Sequence, residues 1–222
     1  SRSWKLSLGV FAAFFLIGYF GMWADTMRTL AIITVATLLS IGLGVPIGIA
    51  MARSDRVQTL VTPILDIMQT MPAFVYLIPV VMLLGIGKVP GILAVLVYAI
   101  PPVIRLTNLG IRMVDKDVLE AAIAFGATRR QRLLEIQLPL ALPTIMAGIN
   151  QTIMMALAMV VIASMIGVKG LGQPVLKAIT NQYFTMGLLN GLAIVVIAIV
   201  FDRVSQAYAK RSQKHLKGMY GA

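Results

Sequence analysis

Long apolar runs dominate this chain, and short polar clusters punctuate them. Six runs stand out: Leu8–Ala24, Thr29–Ala52, Val57–Gly85, Val89–Met113, Leu140–Ile166 and Met186–Phe201. Runs of this length read as helices that cross a bilayer. No series of short alternating strands is visible, so a β-barrel is not the expectation. The pattern predicts an all-α polytopic membrane protein with about six transmembrane helices.

Two runs carry internal structure. In the second, Gly44 and Gly48 have the small-xxx-small spacing that lets helices approach closely, and Pro46 between them predicts a kink. The third is broken. Val57, Leu60, Val61, Ile64 and Met68 repeat at helical spacing, while Gln58, Thr62, Asp66 and Gln69 form another face. Pro72 then interrupts. The remainder to Leu84 would rise only about 18 Å, at about 1.5 Å per residue, against about 30 Å of hydrocarbon. An interfacial start followed by a broken helix is therefore predicted. Irregular backbone at membrane depth survives only where protein or a water-filled cavity covers it. Gln69, Thr70, Met71, Pro72 and Tyr76 thus become candidate lining of a solute path.

Composition agrees with this reading. Of the 222 residues, 59% are hydrophobic and 12% charged, where a soluble domain is about a quarter charged. With no cysteine, disulfides and thiolate metal sites are excluded, and the one histidine, His215, lies in the polar tail. The net charge of +11 has an explanation other than nucleic acid. Of the 19 Lys and Arg residues, fourteen fall on the side that holds both termini, the "RSDR" loop and the 112–139 segment. Arg28, Lys88, Lys169 and Lys177 are on the other side, and Arg105 snorkels toward the first. Positive loops face the cytoplasm, so both termini are expected there. Leu8–Ala24 is long for a signal-peptide core and lacks a small-residue cleavage site, so it is expected to be a span. The chain opens "SRSW", without an initiating methionine, which leaves room for residues before it.

The charged segment 115–139 has definite local signals. Asp117 with Glu120 reads as an N-cap and its box partner, predicting a short helix Val118–Phe125 that Gly126 terminates. Thr128 with Gln131 reads as a second box, opening a helix from Arg129 toward Gln137 that ends before Pro139. Leu119, Ile123 and Phe125 on the short helix need cover in water, so a partner surface is implied.

Glu120-Ala121-Ala122, then Gly126, then Ile136, Leu138 and Pro139 match in both spacings the EAA signature of ABC-importer permeases, which this segment resembles. The resemblance implies that the short helix couples to a cytoplasmic ATPase subunit through Glu120, Ala121, Ala122, Phe125 and Gly126, with Leu138 and Pro139 passing the motion on. Stretches such as "LDIMQTMPAFVYLIPVVMLLGIG" and "GLGQPVL" resemble the permeases of quaternary-amine importers, roughly from Thr29 to Arg203. That likeness implies a five-span core, 29–206, with the N-terminal helix and flanks (1–28) as an addition and 207–222 as a basic cytoplasmic tail. It further implies a homodimer, two ATPase subunits and an external substrate-binding protein. The substrates implied are glycine betaine, proline betaine, choline, carnitine or trimethylamine N-oxide.

The chain has no G-x-x-x-x-G-K-[ST] loop, so no cofactor is expected on it; ATP and Mg belong to the partner. Asn150 and Gln151, polar within a span, either bond across helices or line the path. Met154, Met155 and Met159 offer soft surface, as do aromatics such as Tyr76 and Tyr98, although such residues usually just pack. A permease for another small amino-acid-like solute is the nearest alternative. A stand-alone secondary transporter is the further one; it would carry ionisable groups at membrane depth or an internal repeat. Nothing in the sequence suggests a catalytic centre.

Overall fold

The computed structural model describes the backbone of residues 2–220 and the side chains of Trp4 and residues 7–207. The described residues are helical or in turns. In chain order the helices are α1 (Arg2–Tyr19), α2 (Trp23–Arg53), α3 (Asp55–Thr70), a 3-10 turn (Ala73–Tyr76), α4 (Leu77–Leu84), α5 (Lys88–Ala99) and α6 (Pro101–Arg112). Then follow α7 (Lys116–Ala124), α8 (Arg129–Gln131), a π-helical segment (Arg132–Gln137), α9 (Leu138–Ala163), a second 3-10 turn (Ser164–Ile166), α10 (Gly172–Asn181) and α11 (Phe184–Tyr220).

Four stretches are long and apolar enough to cross a membrane: Trp23–Arg53, Lys88–Arg112, Arg129–Ile166 and Phe184–Ala207. A fifth forms if α3 and Ala73–Leu84, bent at the break, count as one span. The break falls where Pro72 predicts it. Pro72 has extended backbone (φ −57°, ψ 140°) and its carbonyl accepts from the Val75 N–H at 2.9 Å. Proline inside a helix does not always break it, however. Helix α2 runs unbroken through Pro46.

The N-terminal run differs from its expected bounds. Helix α1 stops at Tyr19, and Gly21 at φ +71° turns the chain before Trp23 starts α2. Its described apolar part, Ser7–Tyr19, is shorter than a crossing helix. The polar tail continues α11 as helical backbone to Tyr220, and its side chains beyond residue 207 lie outside the described residues.

The chain divides into two compact units. One comprises Ser1–Leu38, Met71–Ala99 and Ile153–Arg203. Within it the loop after α9 is pinned by a buried hydrogen bond: the Leu171 N–H donates to Thr29 Oγ1 at 2.9 Å, and the Thr29 hydroxyl donates to the Asp25 carbonyl at 2.9 Å. The Gly87 N–H likewise donates to the Ile166 carbonyl at 3.1 Å.

The second unit comprises Leu39–Thr70, Ile100–Thr152 and Val204–Ala222. Glycine sets how closely its helices approach. A Cβ on Gly48 would lie 2.7 Å from the Ile104 carbonyl and 2.6 Å from Thr107 Cβ, and one on Gly44 would strike Val103. Helices α6 and α9 meet through a reciprocal pair: a Cβ on Gly110 would come within 2.9 Å of Thr144 Cβ, and one on Gly148 within 2.9 Å of Leu106 Cβ. Without an oil–water driving force between helices, such contacts carry the association. Ile111, Leu133, Ala141 and Ile145 form a buried cluster beside them. The similar spacing of Gly187 and Gly191 in α11 has a different outcome, since a Cβ at Gly191 meets nothing within 4 Å.

Gly48→Ala is expected to destabilise the protein by about 1–3 kcal/mol through overpacking against backbone, whereas Gly191→Ala is neutral or slightly stabilising. Unfolding midpoints of the two variants in one detergent check this; equal midpoints would count against close α2–α6 contact.

Candidate coupling segment and solute path

Helix α7 opens on Asp115, two residues before the expected cap. Its backbone is extended (φ −53°, ψ 131°) and its carboxylate accepts from the Asp117 N–H at 3.0 Å. Asp117 therefore sits in the first turn, where its charge suits the positive end of the helix. Glu120 lies beyond the cap and closes no box. Its side chain is exposed and makes no ion pair among the described residues.

The other end follows the prediction. Gly126 takes φ +79°, its N–H donates to the Ile123 carbonyl, and the Ala127 N–H donates to the Ala122 carbonyl, both at 2.9 Å. These two bonds make a Schellman motif. Thr128 and Gln131 form the expected capping box: Gln131 N–H donates to Thr128 Oγ1 at 3.3 Å, and Thr128 N–H to Gln131 Oε1 at 2.9 Å. The second helix does not end before Pro139. It passes through the π segment, where the Leu138 N–H reaches back to the Leu133 carbonyl, and runs on into α9. Pro139 lies inside this continuous helix directly after the π turn, while Leu138 packs against the Ile111–Leu133 cluster.

The seven coupling candidates divide by exposure. Ala122 is buried and Leu138 and Pro139 are half-buried, whereas Glu120, Ala121 and Gly126 are exposed and Phe125 is 93% exposed. Val118, Ala121 and Phe125 stand at i, i+3 and i+7, so α7 offers an apolar strip with a carboxylate beside it. Leu119, expected to need a partner's cover, is instead half-buried and lines a cavity within its own unit.

Charge near this segment is managed by contacts that sequence spacing does not reveal. Arg112, at the end of α6, donates to the Met51 carbonyl at 3.0 Å, to Asp55 Oδ1 at 2.7 Å and to Asn108 Oδ1 at 3.1 Å. It thereby fastens the α2–α3 junction. Arg105 pairs with Asp66 across α6 and α3. Arg105, expected to snorkel toward the interface, has the Asp66 carboxylate as its partner.

The path candidates are distributed over both units. Gln69 and Thr70 end α3, exposed, with the Thr70 hydroxyl donating to the Ile67 carbonyl at 3.1 Å. Met71 is half-buried and Pro72 exposed. Tyr76 is buried and packs edge-to-face on Tyr98, ring centroids 5.6 Å apart. Asn150 finds a cross-helix partner, its Oδ1 accepting from the Ser205 hydroxyl at 2.6 Å. Gln151 and Met154 are exposed, Met155 is half-buried, and Met159 is fully buried as packing.

The long apolar helices and the broken span define a multi-pass helical membrane protein. The chain belongs to the family of binding-protein-dependent transport system inner membrane components, whose pattern matches residues 44–214. It is 50% identical over 216 residues to the glycine betaine/proline betaine transport system permease protein ProW of Escherichia coli, covering 95% of this chain and 61% of that one. To ProW of Salmonella typhimurium it is 52% identical, covering 89% of this chain and 56% of that one. It is 38% identical to the trimethylamine N-oxide transport system permease protein TmoV of Pelagibacter ubique, covering 94% of this chain and 30% of that one. The chain thus spans about three-fifths of the length of the two ProW proteins. An inward-facing structure of the MetNI methionine ABC transporter shares the fold, with a TM-score of 0.76 at 20% identity over 84% of this chain and 93% of that one.

Asp115→Ala is expected to remove about 0.5–2 kcal/mol of capping and to speed amide exchange in the first turn of α7, whereas Asp117→Ala leaves that exchange nearly unchanged. Hydrogen–deuterium exchange of the two variants separates the positions; the reverse order would return the cap to Asp117.

Proposed function

We propose that this chain is the membrane-spanning permease subunit of a binding-protein-dependent ABC importer. Its solute is a small quaternary or trimethylated amine, of the class of glycine betaine, proline betaine, choline, carnitine or trimethylamine N-oxide. Support for the solute class comes from the names of the relatives at about 50% identity. The observation that carries the mechanism is the exposed α7 strip, Val118–Ala121–Phe125 with Glu120 alongside, on a helix capped at both ends.

A rigid, well-capped helix with an exposed apolar face and one carboxylate suits a groove on a cytoplasmic ATPase. Phe125 supplies buried area on docking and Glu120 meets a basic group. Motion of α7 reaches α9 through the Gly126 turn, the Thr128 box and the Leu138–Pro139 junction. ATP and Mg are bound by two partner ATPases, and this chain itself performs no catalysis. A second copy of the permease completes the path, and an external binding protein delivers the solute. Both termini lie in the cytoplasm, as the Lys and Arg distribution favours. Asp66 and Arg105 neutralise each other, which suits carriage of a zwitterion without ion coupling. Gln69, Thr70, Met71, Pro72, Tyr76, Asn150, Gln151, Met154 and Met155 are the path residues to be tested.

The experiment is ATPase activity of the reconstituted complex with its binding protein, against a panel of trimethylammonium compounds, for wild type, Glu120→Ala and Phe125→Ala. One compound is expected to stimulate the wild type. Phe125→Ala should weaken ATPase assembly about tenfold or more, as loss of a buried aromatic anchor does, and Glu120→Ala should uncouple stimulation. Failure of any ATPase subunit to assemble with the wild-type chain would overturn the importer reading.

A further inference from the structure

Three arginines from two parts of the second unit, Arg53 at the end of α2 and Arg129 with Arg132 on one helical turn, converge on one cavity. It has a volume of about 460 Å³, and Arg53, Arg129, Arg132 and Gln137 line it above an apolar floor of Ile111 and Leu133. No carboxylate lines it. The nearby Asp55 is already held by Arg112, and among the described residues none of the three arginines forms an ion pair. Arg132 Nε is buried and has no hydrogen-bond partner. A buried, charged donor left unsatisfied is costly, so its persistence points to an acceptor.

We propose that this cavity binds a phosphate group, carried either by an anionic phospholipid headgroup or by free phosphate. Three forked guanidiniums provide more donors than one carboxylate accepts, and they suit a tetrahedral oxyanion with several acceptor oxygens. Gln137 adds an amide donor. The position agrees: Arg53 ends the apolar helix α2, Ile111 is one residue from the end of α6, and Gln137 immediately precedes α9. Apolar helices thus give way to polar segments around the cavity, the kind of setting in which basic pockets between spans hold lipid phosphates. The volume admits a phosphate with a small organic body, and the Ile111–Leu133 floor gives that body a dry contact. The site does not depend on which solute the chain carries.

The test uses the full chain, with whatever partners co-purify. Phosphatidylglycerol retention is counted by native mass spectrometry after exchange from phosphatidylglycerol or phosphatidylcholine nanodiscs. Thermal midpoints are measured in sodium phosphate and in sodium chloride at matched ionic strength. Arg53→Gln/Arg132→Gln is expected to weaken retention or phosphate stabilisation about tenfold or more, since two charged donors are lost. Arg130→Gln, which removes a charge from an exposed neighbour that does not line the cavity, should leave both unchanged. Arg132→Lys, which keeps the charge but not the fork, should fall between and serves if the double variant does not fold. Retained phosphatidylglycerol that the double variant loses assigns a lipid. Stabilisation by phosphate over chloride without lipid retention assigns the free ion. Wild type indifferent to both, or loss equal in Arg130→Gln, overturns the proposal.

Discussion

In hydrocarbon no water is present to satisfy a peptide group, and every departure from helix must bring its own partner. This requirement accounts for the long uninterrupted helices and for how each irregularity is built. At Pro72 the chain leaves α3 and recovers its hydrogen bonding at once in a 3-10 turn. After α9 the loop meets Thr29, whose hydroxyl bonds the buried Leu171 N–H. Pro101 and Pro102 supply no N–H to the preceding turn, yet Ile100 keeps helical angles, so Lys88–Arg112 remains one candidate span. Local preference would end a helix before a proline; here the cost of free backbone prevails.

The same scarcity of water governs charge. Asp66 on α3 and Arg105 on α6 pair with each other, and an ion near hydrocarbon costs less paired than alone. Arg112 combines an ion pair with a bond to the otherwise open Met51 carbonyl near the end of α2, where a cation is favoured. Guanidinium geometry makes this multiple use possible. Lysine at either position would supply charge without the fork.

Legibility followed the range of the interaction. The Pro72 break, the Gly126 stop and the Thr128–Gln131 box depend on residues within a few positions of one another, and the sequence displays them. So does the Gly44–Gly48 approach surface. The close approaches at Gly110 and Gly148 are not legible, because each glycine stands alone in its helix and what it meets, Thr144 for one and Leu106 for the other, lies 34 and 42 positions away. The Asp66–Arg105 pair and the three-arginine cavity are hidden for the same reason. The misplaced cap at Asp117 has a different origin. Two aspartates two residues apart both fit the local rule, and only the backbone angle at Asp115 decides between them. Of the coupling candidates, the motif marked the segment, but only the fold separates Ala122, turned inward, from Phe125, turned out.

The π segment has a geometric consequence for the chain on either side of it. An α-helix advances about 100° per residue, and one added residue in a turn shifts the phase of everything downstream by about that amount. Helices α8 and α9 are joined without a gap, yet a single helical wheel drawn through both would assign the wrong faces to one of them. If residues 132–137 tightened to α geometry, α9 would turn by roughly a quarter revolution relative to the arginines of α8. A continuous helix would then act less like a rigid rod than like a two-position twist joint.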